Sequence, residues 1–270
     1  LFAERTPTPD FDSRLRQLVL ACAILDWSGI SPAIFGAMFQ GVLEQSEPDM
    51  SRSASRRELG AHYTSERNIL RAINPLFMDA LRAELQAARH SPPRLKALYD
   101  RLPALNIFDP ACGCGNFLVI AYRELRLLEI ELIDLLFFTA KGGAQKGRGL
   151  LDVSTLSRVS VNQFYGIEID ASAAHIAQVA MWITDHQMNL HAASRFGTTR
   201  PSVPLTQTAH IANGNALRLD WAAVLPPDAC SYIVGNPPFV GSTYLSAEQR
   251  EDVALVLGKI PNSGLLDFVT

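Results

Sequence analysis

The segment Asp109-Pro110-Ala111-Cys112-Gly113-Cys114-Gly115-Asn116-Phe117 constrains the fold more than any other. It lies between the short apolar run Leu105 to Phe108 and a long helical pattern from Gly115 to about Phe138. A strand that ends in a glycine loop and feeds a helix belongs to an α/β sheet, where ligands bind at the carboxyl ends of the strands. Gly113 and Gly115 let the backbone turn sharply and approach a ligand with no Cβ in the way. The helix start after them offers free N–H groups to a carboxylate. The spacing is not G-x-G-x-x-G, so an amino-acid moiety suits the loop better than a pyrophosphate. An ordinary Gly-rich turn with no ligand remains the alternative on this motif alone.

The pattern continues in the same alternation. Gln163 to Ile169 reads as a second strand, ending at Glu168. Ala171 to Asn189 reads as a helix with Ile176, Val179, Ala180 and Ile183 on its inner face. His210 to Ala212 and Tyr232 to Val234 read as a third and fourth strand. Strand and helix in this order predict a parallel sheet with right-handed crossovers. Before it the chain reads as helical. Phe11 to Trp27 and the stretch from Ser31-Pro32 through Leu43 are expected helices, and Glu47 to Arg57 a polar linker. A third helix follows Ser65, with Ile69, Ile73, Leu76, Phe77, Ala80, Leu81 and Leu85 on one side. Pro75 inside that pattern predicts a kink or break. The resulting division is a helical connector over 1–55 and the α/β domain over 56–270. Lys141 to Gly149 is expected to be a surface loop, since it lacks the order of a phosphate-binding loop.

Glu168, at a strand end, is a candidate for both hydroxyls of a ribose, with Ile169 beside it, while Asp170 suits a helix cap. After the fourth strand comes Asn236-Pro237-Pro238-Phe239. The prolines fix the backbone, so the Asn236 side chain and the Pro237 carbonyl point in set directions as acceptors. Such acceptors grip the N–H groups of a planar amine and favour a tetrahedral nitrogen with an exposed lone pair. Phe239 offers a face for a flipped base. A plain Pro-Pro turn is the alternative.

Composition sets limits. The chain has 270 residues, 48% hydrophobic and 19% charged, with a net charge of −3, which lacks the basic excess of a nucleic-acid-binding module. No apolar run reaches the length of a membrane span. Four scattered cysteines (Cys22, Cys112, Cys114, Cys230) make neither a disulfide framework nor a metal set, and fit the cytosol.

Taken together, these motifs resemble the amino-methyltransferases of DNA. Gly60-Ala61-His62-Tyr63-Thr64-Ser65 looks like that family's early Gly-x-Tyr-Tyr-Thr-Pro motif, with His62 and Ser65 as departures. Arg56 to Phe77, Asp109 to Glu129, Gln163 to Asn189, Asn213 to Trp221 and Gly235 to Ser242 are similar to fused restriction–modification enzymes of the MmeI type. The resemblance implies a Rossmann-like class I S-adenosylmethionine-dependent methyltransferase fold, with a partial sheet and the N-terminal helical connector. It implies methyl transfer to adenine N6 in double-stranded DNA, with base flipping. It implies a cytoplasmic enzyme fused to a nuclease and a target-recognition domain. Cofactor contacts are expected from His62, Tyr63, Thr64, Asp109, Pro110, Ala111, Gly113, Gly115, Asn116, Phe117, Glu168, Ile169, Asn215 and Ala216. Asn215 stands where the family often has an acid for the cofactor adenine. Asn236, Pro237, Pro238 and Phe239 are the expected catalytic residues, and no metal is expected. The missing initiator Met, the absence of an Asp…Glu-x-Lys nuclease signature and the 31 residues after Phe239 suggest a fragment, inactive by itself, with most DNA contacts elsewhere. The basic cluster Arg52, Arg56, Arg57, Arg67 and Arg71 reads as a solvated linker face, with phosphate contact as the alternative. Other acceptors for the same chemistry are a protein glutamine amide or an RNA base. A third reading is a non-catalytic cofactor-binding module of a defence complex.

Overall fold

A computed structural model describes residues 12–24, 34, 64–139, 156–196, 208–258, 260, 266 and 268. The chain divides into two compact units, 1–31 and 32–270. In the first, α1 spans Ser13–Ile24. Of the expected helix through Leu43 only Ile34 is described, and it is helical and exposed, while the linker from Glu47 to Arg57, the boundary at 55/56 and the loop from Lys141 to Gly149 lie outside the described residues.

The second unit holds a parallel four-stranded sheet. Its strands are β1 (Ile107–Asp109), β2 (Phe164–Glu168), β3 (His210–Asn213) and β4 (Tyr232–Ile233), in the order β3-β2-β1-β4. Its helices are α2 (Glu66–Ile73), α3 (Asp79–Ala88), α4 (Pro92–Arg101), α5 (Asn116–Ile133), α6 (Ala171–Phe196), α7 (Trp221–Val224) and α8 (Ala247–Leu257). This is a Rossmann-like α/β fold. Among the described residues no helix is long and apolar enough to cross a membrane.

The connections β1-α5-β2 and β2-α6-β3 step one way, and β3-α7-β4 returns past β1. Right-handed crossovers therefore put α5 and α6 on one face and α7 on the other. Period-two alternation in the strands matches this. Ile107 and Phe164 join the large core with α2 to α6, while Phe108, Tyr165 and Ile167 face the smaller cluster around Leu225. The strand order reverses between β1 and β4, and that reversal opens a crevice at their carboxyl ends.

Pro75 neither breaks nor simply bends its helix. Residues Asn74–Met78 form one wide π turn joining α2 to α3. Proline lacks an N–H and crowds the carbonyl four residues back, and a wider turn relieves both. The turn also keeps the apolar stripe in line. Ile69, Ile73, Phe77, Leu81 and Leu85 recur every four residues and are all buried. Four such steps would drift about 160° around a regular helix, and one inserted residue takes back about 100°. Leu76 is 46% exposed and Ala80 is also exposed, so neither belongs to the stripe.

Two further expectations need correction. α6 extends beyond Asn189 to Phe196, and its buried face is Ala173, Ala174, Ala177, Ala180, Met181, Thr184 and Asp185; Ile176, Val179 and Ile183 are only half-buried. The small residues face inward because α5 passes so close: a Cβ on Gly115 would lie 3.0 Å from the Cβ of Ala177. The expected elements also omit α4, although Ser91-Pro92-Pro93 is a helix-start signal. It buries Leu95, Leu98 and Tyr99.

Candidate active site

The crevice is built from the ends of β1, β2 and β4. Asp109 closes β1 and is 1% exposed. Its Oδ1 accepts from the Ala111 N–H at 3.0 Å, which folds the loop back over the strand. Burial pushes its carboxyl up to about 7, and the neighbouring Glu168 charge adds to the rise. On the β4 side, a Cβ on Gly235 would stand 2.6 Å from Asp109 Oδ1. Glycine at 235 is what allows the Asn-Pro-Pro-Phe turn to run directly across the buried carboxyl.

The loop is pinned to β2 as well. The Cys112 N–H donates to Ile167 O at 3.0 Å, and the Cys112 thiol packs where a Cβ on Gly166 would be. Burial drives the Cys112 thiol well up and the Cys114 thiol up to about 12, so both are neutral packing groups. Gly113 and Gly115 take φ of +55° and +84°, left-handed values that glycine adopts without penalty.

Glu168 sits at the end of β2. Its Oε2 accepts from the Gly113 N–H (2.8 Å) and its Oε1 from the Asp170 N–H (2.9 Å). Burial raises its carboxyl above the ordinary range. The carboxylate is thus held against the loop by the Gly113 and Asp170 N–H groups, with the Ile169 N–H adding to them. Asp170 takes the capping role, its Oδ1 accepting from the Ala173 N–H at 2.8 Å.

The residues around this crevice fit a nucleoside joined to an amino acid. A Cβ built on Gly113 meets nothing within 4 Å, so space lies open above the loop. Asn116 Oδ1 is buried without a hydrogen-bond partner at the first position of α5. Around it lie the unbonded N–H groups of a helix start. Phe117 has its ring in the core, which leaves only its backbone N–H on this side. Pro110 and Ala111 are half-buried in the loop, and Ile169 is 62% exposed just past Glu168.

Asn236 Nδ2 donates to Thr64 Oγ1 at 3.1 Å across 172 positions of sequence. That bond turns the Asn236 oxygen the other way. It also joins the end of the early motif to the proline turn, while His62 and Tyr63 of that motif lie outside the described residues. Pro237 and Pro238 are half-buried, Val240 is buried, and Phe239 is 68% exposed at the rim.

Asn215 has a more committed side chain than its sequence position suggests. Its Oδ1 accepts from the Leu217 N–H (2.9 Å), and its Nδ2 donates to Asp252 Oδ2 (2.8 Å). Ala216 packs in the smaller cluster beneath. Asp252, on α8 and 4% exposed, also accepts from Arg218 Nε at 2.5 Å. Sequence reasoning passed over Asp252. The capping box Ser246-x-x-Gln249 would have signalled the helix, but not which loop its acid meets.

Comparison with known proteins shows the family of the chain. The chain is 36% identical over 274 aligned residues to DNA methyltransferase A of Bacillus subtilis, covering 100% of this chain and 29% of that protein. A putative type II restriction enzyme and methyltransferase of Methanocaldococcus jannaschii is 31% identical over 90 residues, covering 33% of this chain and 7% of that protein. Among solved structures, the type IIL restriction–modification enzyme MmeI in complex with DNA superposes with a TM-score of 0.87 at 47% identity. That match covers 99% of this chain and 34% of MmeI, so the chain spans about a third of the length of MmeI and of the Bacillus subtilis protein. The family model for the MmeI DNA-methyltransferase domain matches residues 85–270, and the chain belongs to that family.

Proposed function

We propose that this chain holds the cofactor and the target amine of an adenine-N6 DNA methyltransferase that uses S-adenosylmethionine. The observation that carries the reading is the contact of Asn236 with Thr64 over the Asp109–Gly235 floor, beside Glu168. One crevice then receives an amino acid, a ribose and a planar amine. When bound, S-adenosylmethionine supplies a sulfonium methyl group. That methyl would leave its C–S bond for the amine nitrogen, and the amine would lose a proton to water. The residues of the chain orient both partners. Glu168 accepts from the ribose hydroxyls, and Asp109 meets the ammonium directly or through water. Asn236 Oδ1 and the Pro237 carbonyl accept from the target N–H groups, and Phe239 stacks on the extruded base. Preorganised acceptors of this kind are worth about 10²–10³ in rate.

The relatives are longer chains with restriction and DNA-binding roles in their names. We read this domain accordingly as part of a cytoplasmic restriction–modification protein, with a helical connector ahead of it, acting on double-stranded DNA. Incubating plasmid with the full-length protein and sequencing for modified adenine tests the reading. Methyl groups on adenine are expected, and Asn236→Ala lowers turnover by about 10² or more while cofactor binding persists. Methylation of RNA or of a protein amide in place of DNA would overturn it.

A further inference from the structure

The early motif leads straight into α2, whose outer face bears Arg67 and Arg71, both exposed. Positions i and i+4 share one face of a helix and lie about 6 Å apart along its axis. Every other described Lys or Arg between 64 and 268 has an acidic or carbonyl partner. Arg82 bonds Glu124, Arg94 bonds the Ala87 carbonyl, Arg123 bonds Glu66, Arg218 bonds Asp252 and Arg250 bonds the Thr243 carbonyl. Arg89 and Arg195, near the far ends of α5 and α6, are matched by Glu131 and Asp134. Arg67 and Arg71 alone among them have no such partner.

Their surroundings keep them so. They flank a depression with Glu66, Leu70 and Asn74. The Glu66 carboxylate is drawn 2.6 Å from Arg123, and Asn74 Oδ1 accepts from Arg82 at 3.0 Å. The two polar groups that share this depression are thereby satisfied by other cations. The position is equally specific. Thr64, three residues before Arg67, bonds the Asn236 that grips the target amine.

We infer that Arg67 and Arg71 form a phosphate clamp on the DNA strand that carries the extruded adenine. The inference rests on the DNA reading above and adds the surface that meets the backbone. Both arginines are exposed on α2 and line a depression of their own, so the clamp contributes affinity and register but no base specificity. Neutralising a phosphate releases its counterions, and removing one such arginine lowers the slope of log affinity against log salt by about 1.

The test uses the full-length protein with the double variant Arg67→Gln/Arg71→Gln, the charge-retaining Arg67→Lys/Arg71→Lys, and Arg94→Gln as a surface control. Binding to duplexes with and without the methylation site is measured across salt concentrations, together with S-adenosylmethionine affinity and thermal unfolding. In the double glutamine variant the salt slope is expected to fall by about 2 for both duplexes. Cofactor affinity and unfolding stay unchanged, lysine restores most of the slope, and Arg94→Gln matches wild type. A salt slope equal to wild type in a double variant that folds normally overturns the clamp. So does weaker association with a protein partner while DNA affinity is unaltered. If the wild-type protein methylates no DNA at all, the functional reading fails first, and that outcome is distinct from a wild type that methylates and a variant that binds equally well.

Discussion

At the scale of single residues, Asp109 is a carboxyl buried at the end of β1. A carboxyl held near 7 in the fold and near 4 in the unfolded chain binds more protons when folded between those values. Its contribution to stability is therefore fully present below about pH 4 and is lost as pH rises through about 7. Equilibrium unfolding at pH 5 and pH 8 should show the wild type losing stability relative to Asp109→Asn over that interval. Equal pH profiles would show that burial does not govern this group. A cofactor ammonium placed beside the carboxyl lowers its pKa, so S-adenosylmethionine binding near pH 6 should release a proton. Calorimetry in buffers of different ionisation enthalpy reads that proton directly. The same residue explains Gly235, because any side chain there would enter the carboxyl's space.

At the scale of elements, α8 ties two strand ends together. It follows the Asn236-Pro237-Pro238-Phe239 turn, and its Asp252 reaches back to Asn215 and Arg218 in the loop after β3. A carboxylate at 4% exposure that satisfies both partners is costly to remove, because an amide and a guanidinium lose their acceptor. Asp252→Ala should loosen residues 240–258 by about 1–3 kcal/mol and leave the sheet intact. Hydrogen exchange will read this as faster amide exchange confined to α8 and to residues 214–219; uniform protection would rule the latch out. Elements of this kind also mark where sequence reading stops. The π turn at Asn74–Met78 serves both Pro75 and the four-residue stripe. The stripe was legible, but a kink, a break and a widened turn satisfy the same pattern until packing selects one.

At the scale of the whole molecule, one buried polar network joins α5 to α6 and to the segment 157–159 that leads towards β2. Glu129 is fully buried and accepts from Arg126 (2.6 Å), from Ser157 Oγ (3.1 Å) and from the N–H groups of Arg158 and Val159 (2.5 and 2.8 Å). Arg126 continues to Asn189 (2.7 Å), and Asn189 to Asp185, which also takes the Tyr122 hydroxyl. Glu129→Ala would strand a buried guanidinium and two backbone donors, at a cost of about 3–5 kcal/mol. Chemical denaturation should show a large fall in midpoint, with a smaller one for Glu129→Gln, which keeps its acceptor oxygen. By itself the sequence determined the order of elements and the chemistry-bearing loops. Periodicity, glycine position and proline turns are local properties, so Asp109, Glu168 and Asn236 could be placed at strand ends before any coordinates. Only the tertiary structure decided which of those ends meet. It set Gly235 on Asp109 and Thr64 on Asn236, gave Asn215 to Asp252, turned the alanine face of α6 inward and left Arg67 and Arg71 without counterions among the described residues. Each of these depends on two segments far apart in sequence arriving within a few ångströms, and close packing, unlike periodicity, leaves no trace in either segment alone.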